Sequence, residues 1–127
     1  MATRESFTSG DVLLASELNN MAVSMIALNA QTGTTYTFVL GDDGKLCTFD
    51  NALSITATVP ANSSVAYGIG TQINLMQLSA GQVTIAAAGG VTLRSEGSKL
   101  KLKGQYAVGT CVKIASDTWV VVGNLSA

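Results

Sequence analysis

The chain has 127 residues, enough for one domain or one domain with an arm. Only 12% of them are charged, about half of the ~25% usual in soluble chains, and the net charge is −1. That balance leaves no basic footprint for nucleic acid, and no apolar run approaches the ~20 residues of a membrane-spanning helix.

Hydrophobic residues make up 47% of the chain, so few charges are available to cover a body of this size. Either a neutral surface of Ser, Thr, Asn and Gln covers it, or part of the surface meets another protein. Composition and strand pattern together favour an assembly subunit. Met1–Gly10 is polar and lacks the apolar segment of a signal peptide, so synthesis in a cytoplasm without Sec-type export is expected.

Met1–Gly10 reads as an extended arm with Phe7 as its one large anchor. Phe7 packs either on its own domain or on a partner. Asp11–Leu28 is the one helical stretch. Ser16 is its N-cap, and Leu18, Met21, Met25 and Leu28 form an apolar stripe widened by Ala22 and Ile26. So short a helix needs a packing partner, either its own β domain or copies of itself. Asn29–Thr34, with Gly33, reads as a linker.

From Tyr36 onward the pattern is all-β. Tyr36–Leu40 and Lys45–Phe49 flank the turn Gly41-Asp42-Asp43-Gly44 and predict a hairpin. Ser54–Val59 is a strand ended by Pro60. Ala61–Gly70 is the longest irregular section. Thr71–Leu78 is apolar on both sides and predicts a strand buried on both faces. Gln82–Ala86 and Val91–Leu93 are short strands. Lys99, Lys101 and Lys103 recur every second residue, which puts them on one face of a strand with Leu100 and Leu102 inward. That row is either a solvated, protected edge or a contact for an anionic partner. Tyr106–Ile114 and Thr118–Leu125 form a closing hairpin, with Trp119, Val121 and Gly123 on one face. Cys47 and Cys111 sit inside β runs and are expected to be free buried thiols rather than one disulfide.

No histidine is present, which removes the commonest general base and metal ligand. Asp42, Asp43 and Asp50 read as turn residues, since Gly41–Gly44 is too short for a calcium loop. Asp50, Glu96 and Asp117 cannot be placed as a glycosidase pair from sequence. No glycine-rich segment forms a phosphate loop. Tyr36, Tyr67, Tyr106 and Trp119 could stack on sugars, but single aromatics in strands are usually core. The expectation is a non-enzyme without catalytic residues, cofactor or metal.

A collinear set of phrases runs from Tyr36-Thr37-Phe38-Val39-Leu40 and Asp43-Gly44-Lys45-Leu46 through Asn51-Ala52, Thr58-Val59-Pro60 and Asn62-Ser63-Ser64-Val65. It continues with Ile69-Gly70-Thr71-Gln72-Ile73, Gln77-Leu78, Ala80-Gly81-Gln82-Val83-Thr84-Ile85 and Gly90-Val91-Thr92. It ends with Gln105-Tyr106, Lys113-Ile114, Trp119 and Gly123-Asn124-Leu125. In these phrases the chain resembles a small β domain found at the C-terminal ends of bacteriophage tail-fibre and other virion structural proteins. Phe7-Thr8-Ser9-Gly10-Asp11-Val12-Leu13, with Ala15, Glu17, Leu18 and Asn19, is similar to segments that open phage tail proteins. Gly68 departs from the resemblance, standing where related domains carry proline. The two segments nearly abut, without a long shaft between them.

The expected fold is an all-β antiparallel sandwich or compact barrel-like knob of eight or nine short strands, with a short N-terminal helix and arm. Residues 1–34 would serve attachment or oligomerisation, and residues 35–127 would form the β domain. The resemblance implies a virion structural protein, a trimeric tail-fibre or tail-tip knob displayed on the particle for attachment. The alternative is a capsid decoration or head-fibre protein of the same fold. A depolymerase and a free carbohydrate-binding module are the competing classes. The implied partners are further copies of the chain, other virion proteins through the arm, and a host surface glycan or receptor. Phe7, Leu18, Met21, Met25 and Leu28 are the candidate docking or oligomer contacts. Tyr67, Lys99, Lys101 and Lys103 are the candidate surface contacts.

Overall fold

The structure, a computed structural model, describes residues 26–127. Phe7, Leu18, Met21 and Met25, with most of the expected helix and the whole arm, lie outside the described residues.

Eleven strands follow in order: β1 Leu28–Gln31, β2 Thr35–Thr37, β3 Leu46–Phe49, β4 Ile55–Val59, β5 Gln72–Gln77 and β6 Val83–Ala87, then β7 Thr92–Ser95, β8 Lys101–Leu102, β9 Val108–Ala115, β10 Thr118–Gly123 and β11 Leu125–Ser126. They make two sheets, one of six strands in the order β1-β3-β5-β9-β10-β7 and one of five in the order β11-β8-β6-β4-β2. The all-β, sandwich-like architecture matches the expectation from the sequence, while the pairings within each sheet are mixed.

The mixture has a simple origin. β1, β3 and β5 lie parallel in the larger sheet, and β2, β4 and β6 lie parallel in the smaller one. The chain therefore alternates between sheets with each strand and winds as a flattened coil. Leu28, Leu46 and Asn74 stand abreast in one sheet, and Thr35, Thr56 and Thr84 in the other. Antiparallel strands then close the body: β9 pairs with β5 and β10, and β8 pairs with β6 and β11.

Three expectations change as a result. Tyr36–Leu40 and Lys45–Phe49 do not form a hairpin, because β2 pairs with β4 while β3 pairs with β1 and β5. The segment between them is a corner, not a reversal. A 3₁₀ turn at Leu40–Asp42 carries the chain from one sheet to the other, and Asp42 is buried beneath it. Leu28 belongs to β1 instead of a helical stripe: Leu28 and Ala30 face out while Asn29 and Gln31 are half-buried. The β body thus begins ahead of residue 35, inside the stretch expected to be a linker. The closing hairpin is found as expected, in β9 and β10.

Alternation along the strands fills the space between the sheets. Phe38, Phe49, Ile55, Ile73, Leu75, Ile85, Leu102 and Trp119 are fully buried there. Burying each such side chain contributes roughly 1.5–3 kcal/mol, which outweighs the weak intrinsic preference of any one short strand. β5 was expected to be buried on both faces, but only Ile73, Leu75 and Gln77 are buried, while Gln72 is exposed and Asn74 and Met76 are half-buried, because the sheet is covered on one side alone by the smaller sheet. Cys47 and Cys111 are both buried and free. At Gly81 only glycine fits, since a Cβ would stand 1.9 Å from the Leu53 carbonyl oxygen and 2.2 Å from that of Asn51. The Gly81 N–H donates to that Asn51 oxygen at 2.9 Å, which locks the β3–β4 connection against the start of β6.

The two outer faces differ. Cross-strand register aligns Leu28, Leu46, Asn74, Thr110 and Val122 across the larger sheet, with Met76 beside Val108 and Val112 beside Val120. The smaller sheet presents Thr35, Thr37, Thr56, Thr58 and Thr84, with Lys101 beside Thr84.

Candidate functional site

Two buried charged side chains are accounted for by structure. Asp42 is 1% exposed. Its Oδ2 accepts the Tyr36 hydroxyl at 2.7 Å and the Val39 N–H at 2.9 Å, and its Oδ1 accepts Asn29 Nδ2 at 2.8 Å. Gln31 Nε2 in turn donates to Asn29 Oδ1 at 2.8 Å. These bonds pin β1, β2 and the 3₁₀ corner together. Burial, then the bond to the Asp42 carboxylate, pushes the Tyr36 phenol up to about 12. Burial likewise pushes the Cys47 and Cys111 thiols up to about 12, so neither is a ready nucleophile at neutral pH.

Lys113, 2% exposed, points between the sheets from β9. Its ammonium donates to Asn62 Oδ1 and to the Tyr67 carbonyl oxygen, each at 2.7 Å. Asp117 Oδ1 accepts the Asn62 N–H at 2.8 Å. This bonding anchors the 61–70 loop to the closing hairpin.

Tyr67 was expected at the surface and is 4% exposed. It stands edge-on to Trp119 with ring centroids 5.4 Å apart, and its hydroxyl donates to the Val39 carbonyl oxygen. An aromatic ring bonded and stacked in this way is a tie between the loop and the core. Its role as a surface contact is withdrawn on that ground.

The candidate site is a cleft of about 510 Å³ lined by Arg94, Ser95, Glu96, Lys99, Val121, Gly123 and Leu125, among others. Its volume lies within the usual 300–1,000 Å³ of ligand pockets. The cleft lies where β7 and β10 end one side of the larger sheet and β11 ends the smaller sheet. Register explains its lining. Leu93 and Ser95 of β7 lie beside Trp119 and Val121, so they face inward and Arg94 faces out. Ser95 Oγ is buried and has no hydrogen-bond partner among the described residues. Past β7, Gly97 and Ser98 adopt φ of 68° and 59°, a left-handed pair in the segment that leads from the larger sheet to β8 in the smaller one. A Cβ on Gly97 would meet Lys99 Cε at 3.3 Å, so the lysine stem lies against this glycine. Arg94, Glu96 and Lys99 therefore stand around one opening, and the Ser95 hydroxyl is buried beside it. That set suits an oxygen-rich ligand, with two cations to receive an anionic group.

Of the three spaced lysines, Lys99 lines this cleft, Lys101 is in β8 on the outer face of the smaller sheet, and Lys103 is exposed beyond it. The strand is shorter than the Lys99–Lys103 run, so the three do not form one row. Sequence reading missed Arg94 and Ser95. The pattern Thr92-Leu93-Arg94-Ser95 carried a usable signal, because an inward parity for Leu93 also places Ser95 inward. Among the described residues no group of three or more His, Cys, Asp or Glu side chains is placed to hold a metal ion. No family model matches the chain, and no curated protein or solved structure matches it.

Proposed function

We propose that the chain is a bacteriophage virion structural protein, a trimeric tail-fibre or tail-tip knob displayed on the particle surface for host attachment. It acts by contact and not by catalysis. The collinear resemblance from Tyr36 to Leu125 supports this reading. The observation that carries it is the polarity of the body. At one end β1 and β2 are the outermost strands of the two sheets, and residues 1–25 lead directly into that end. At the other end β7 and β11 frame the cleft. The first end faces the particle through the N-terminal arm, and the second faces the host.

The ligand class follows from the cleft: a surface glycan bearing a carboxylate or phosphate, held by Arg94 and Lys99. This feature favours attachment over capsid decoration, which needs no ligand cleft. The test has two arms. Gold-labelled antibody against the protein is imaged on intact particles, and label on the tail is expected. Label on the head shell would turn the reading to decoration, and unlabelled particles would overturn it. Particles carrying the double substitution Arg94→Ala and Lys99→Ala should adsorb to host cells at least tenfold more slowly while retaining the label. Unchanged adsorption would remove the cleft from the proposal.

A further inference from the structure

We propose that Lys113 and Asn62 become joined by a covalent amide bond once the chain has folded. The bond ties the 61–70 loop to β9, and it does not depend on the attachment reading.

The two side chains come from positions 51 residues apart and are already in contact, with Lys113 Nζ 2.7 Å from Asn62 Oδ1. Asn62 Cγ stands one C=O bond, about 1.23 Å, behind that oxygen, so it lies within about 3.9 Å of Nζ. Both groups are held. The Tyr67 carbonyl oxygen fixes Nζ from a second side at 2.7 Å, and Asp117 Oδ1 fixes the Asn62 N–H at 2.8 Å. Trp119 stands beside Lys113 in the β9–β10 register, with Tyr67 edge-on to it, so aromatic carbon lines the site. Groups fixed in this way react as though at an effective concentration of up to about 10⁵–10⁸ M. Lys113 is shut off from water, while Asn62 is half-buried and leaves a small product a way out.

The product is also the more comfortable occupant. Lys113 is a buried cation whose two partners are both neutral. A buried charge without a counter-ion is costly, whereas an amide in its place is neutral and keeps an N–H for the Tyr67 carbonyl. In the step itself Nζ, having lost one proton, attacks Asn62 Cγ with its lone pair and forms the new C–N bond. A second Nζ proton passes to Nδ2, the Cγ–Nδ2 bond breaks, and its electron pair leaves with ammonia. The ammonia takes up the first proton. An ammonium and a primary amide thus give a secondary amide and a free ammonium ion, with no oxidant, reductant or cofactor. The hydrogen bonds of Lys113 given above are those of the chain before linkage. A chain folded in the cold stays in that form, and substitutions at Lys113 are compared with it.

The experiment measures the intact mass of the full chain after folding and one day at 37 °C. A mass about 17 Da below the sequence value, the loss of one ammonia, is expected. Fragmentation of a protease digest should then show one branched peptide carrying both Asn62 and Lys113. Lys113→Met and Asn62→Ala should each remain at full sequence mass. An unchanged wild-type mass would overturn the proposal. So would an ammonia loss confined to a linear peptide at Asn62, which marks a cyclic imide, or a loss that persists in Lys113→Met. The wild-type mass and digest decide the question even where a variant fails to fold.

Discussion

The body has two halves that are held differently. From β1 to β6 the chain winds, and every pairing joins strands separated by a full turn of the coil. From β8 to β11 it closes, and β9 meets β10 across a short reversal. Each half buries one charge, Asp42 in the winding half and Lys113 in the closing one. Neutral dipoles satisfy both. Asp42 accepts three donors, whereas Lys113 gives to two acceptors. Tyr67 joins them, accepting from Lys113 through its carbonyl and donating to Val39, next to the Asp42 corner, through its hydroxyl. The difference teaches that a wound sheet depends on its corners. Its strands have no local partner, so a polar corner has to fix where each one enters the sheet.

That contrast can be broken at several points. Gly81→Ala should have the largest effect, because the added methyl meets two carbonyl oxygens of the 51–53 corner. A loss of about 4 kcal/mol or more in urea unfolding, or failure to fold, is expected. A loss under about 1 kcal/mol would mean that the corner gives way freely. Asp42→Ala comes next. It strands buried donors of Tyr36, Asn29 and Val39 and should cost about 3 kcal/mol. Lys113→Met, which keeps most of the side-chain volume and removes only the ammonium, should cost less, about 1–2 kcal/mol. If Lys113→Met proved the more damaging of the two, the ranking of the halves would be reversed.

Alkaline titration tests both halves together. Burial raises Cys47, Cys111 and Tyr36 to about 12, from ordinary values of 9.0 for the thiols and 10.0 for the phenol. Their folded forms hold protons that the unfolded chain releases, so stability is full below about pH 9 and falls as pH rises toward 12. Melting temperatures read by circular dichroism from pH 8 to pH 12 should trace that decline, and a flat profile to pH 11.5 would contradict it. The smallest effect is of opposite sign. Ser95→Ala removes a buried hydroxyl without a partner and should raise stability by up to about 1 kcal/mol.

The closing half was legible in the sequence because its information is local. Asp117 marks the reversal, and Trp119 and Val121 give the inward parity that the structure has. The winding half gave its strands but not their partners. Alternation in Tyr36–Leu40 and Lys45–Phe49 fits either a hairpin or two successive turns of a coil, and no local residue distinguishes them. Asp42 read as a turn residue, and it is one, but its burial depends on Asn29 and Tyr36 arriving from other strands. Lys113 was hidden for the same reason. A lysine in a strand reads as outward until Asn62 and Tyr67 are placed around it. The cleft depends on β7 lying beside β10 rather than beside β6, a crossover that periodicity cannot show.

The abreast alignment of Leu28, Leu46 and Asn74 holds although the stretches joining them differ in length. Spacing within the stack is set by pleat and backbone ladder, and the connections are free to vary. Ser63 and Ser64 are exposed within one such connection, while Asn62 and Tyr67 on either side are tied to Lys113. Foreign peptide spliced between the two serines would part the Ala61 carbonyl from the Ser64 and Val65 N–H groups that donate to it, and would add about 0.6 kcal/mol of closure entropy for each doubling of the loop. The frame and its cargo space are thus separable, and the exterior can be rewritten while the stack beneath keeps its alignment.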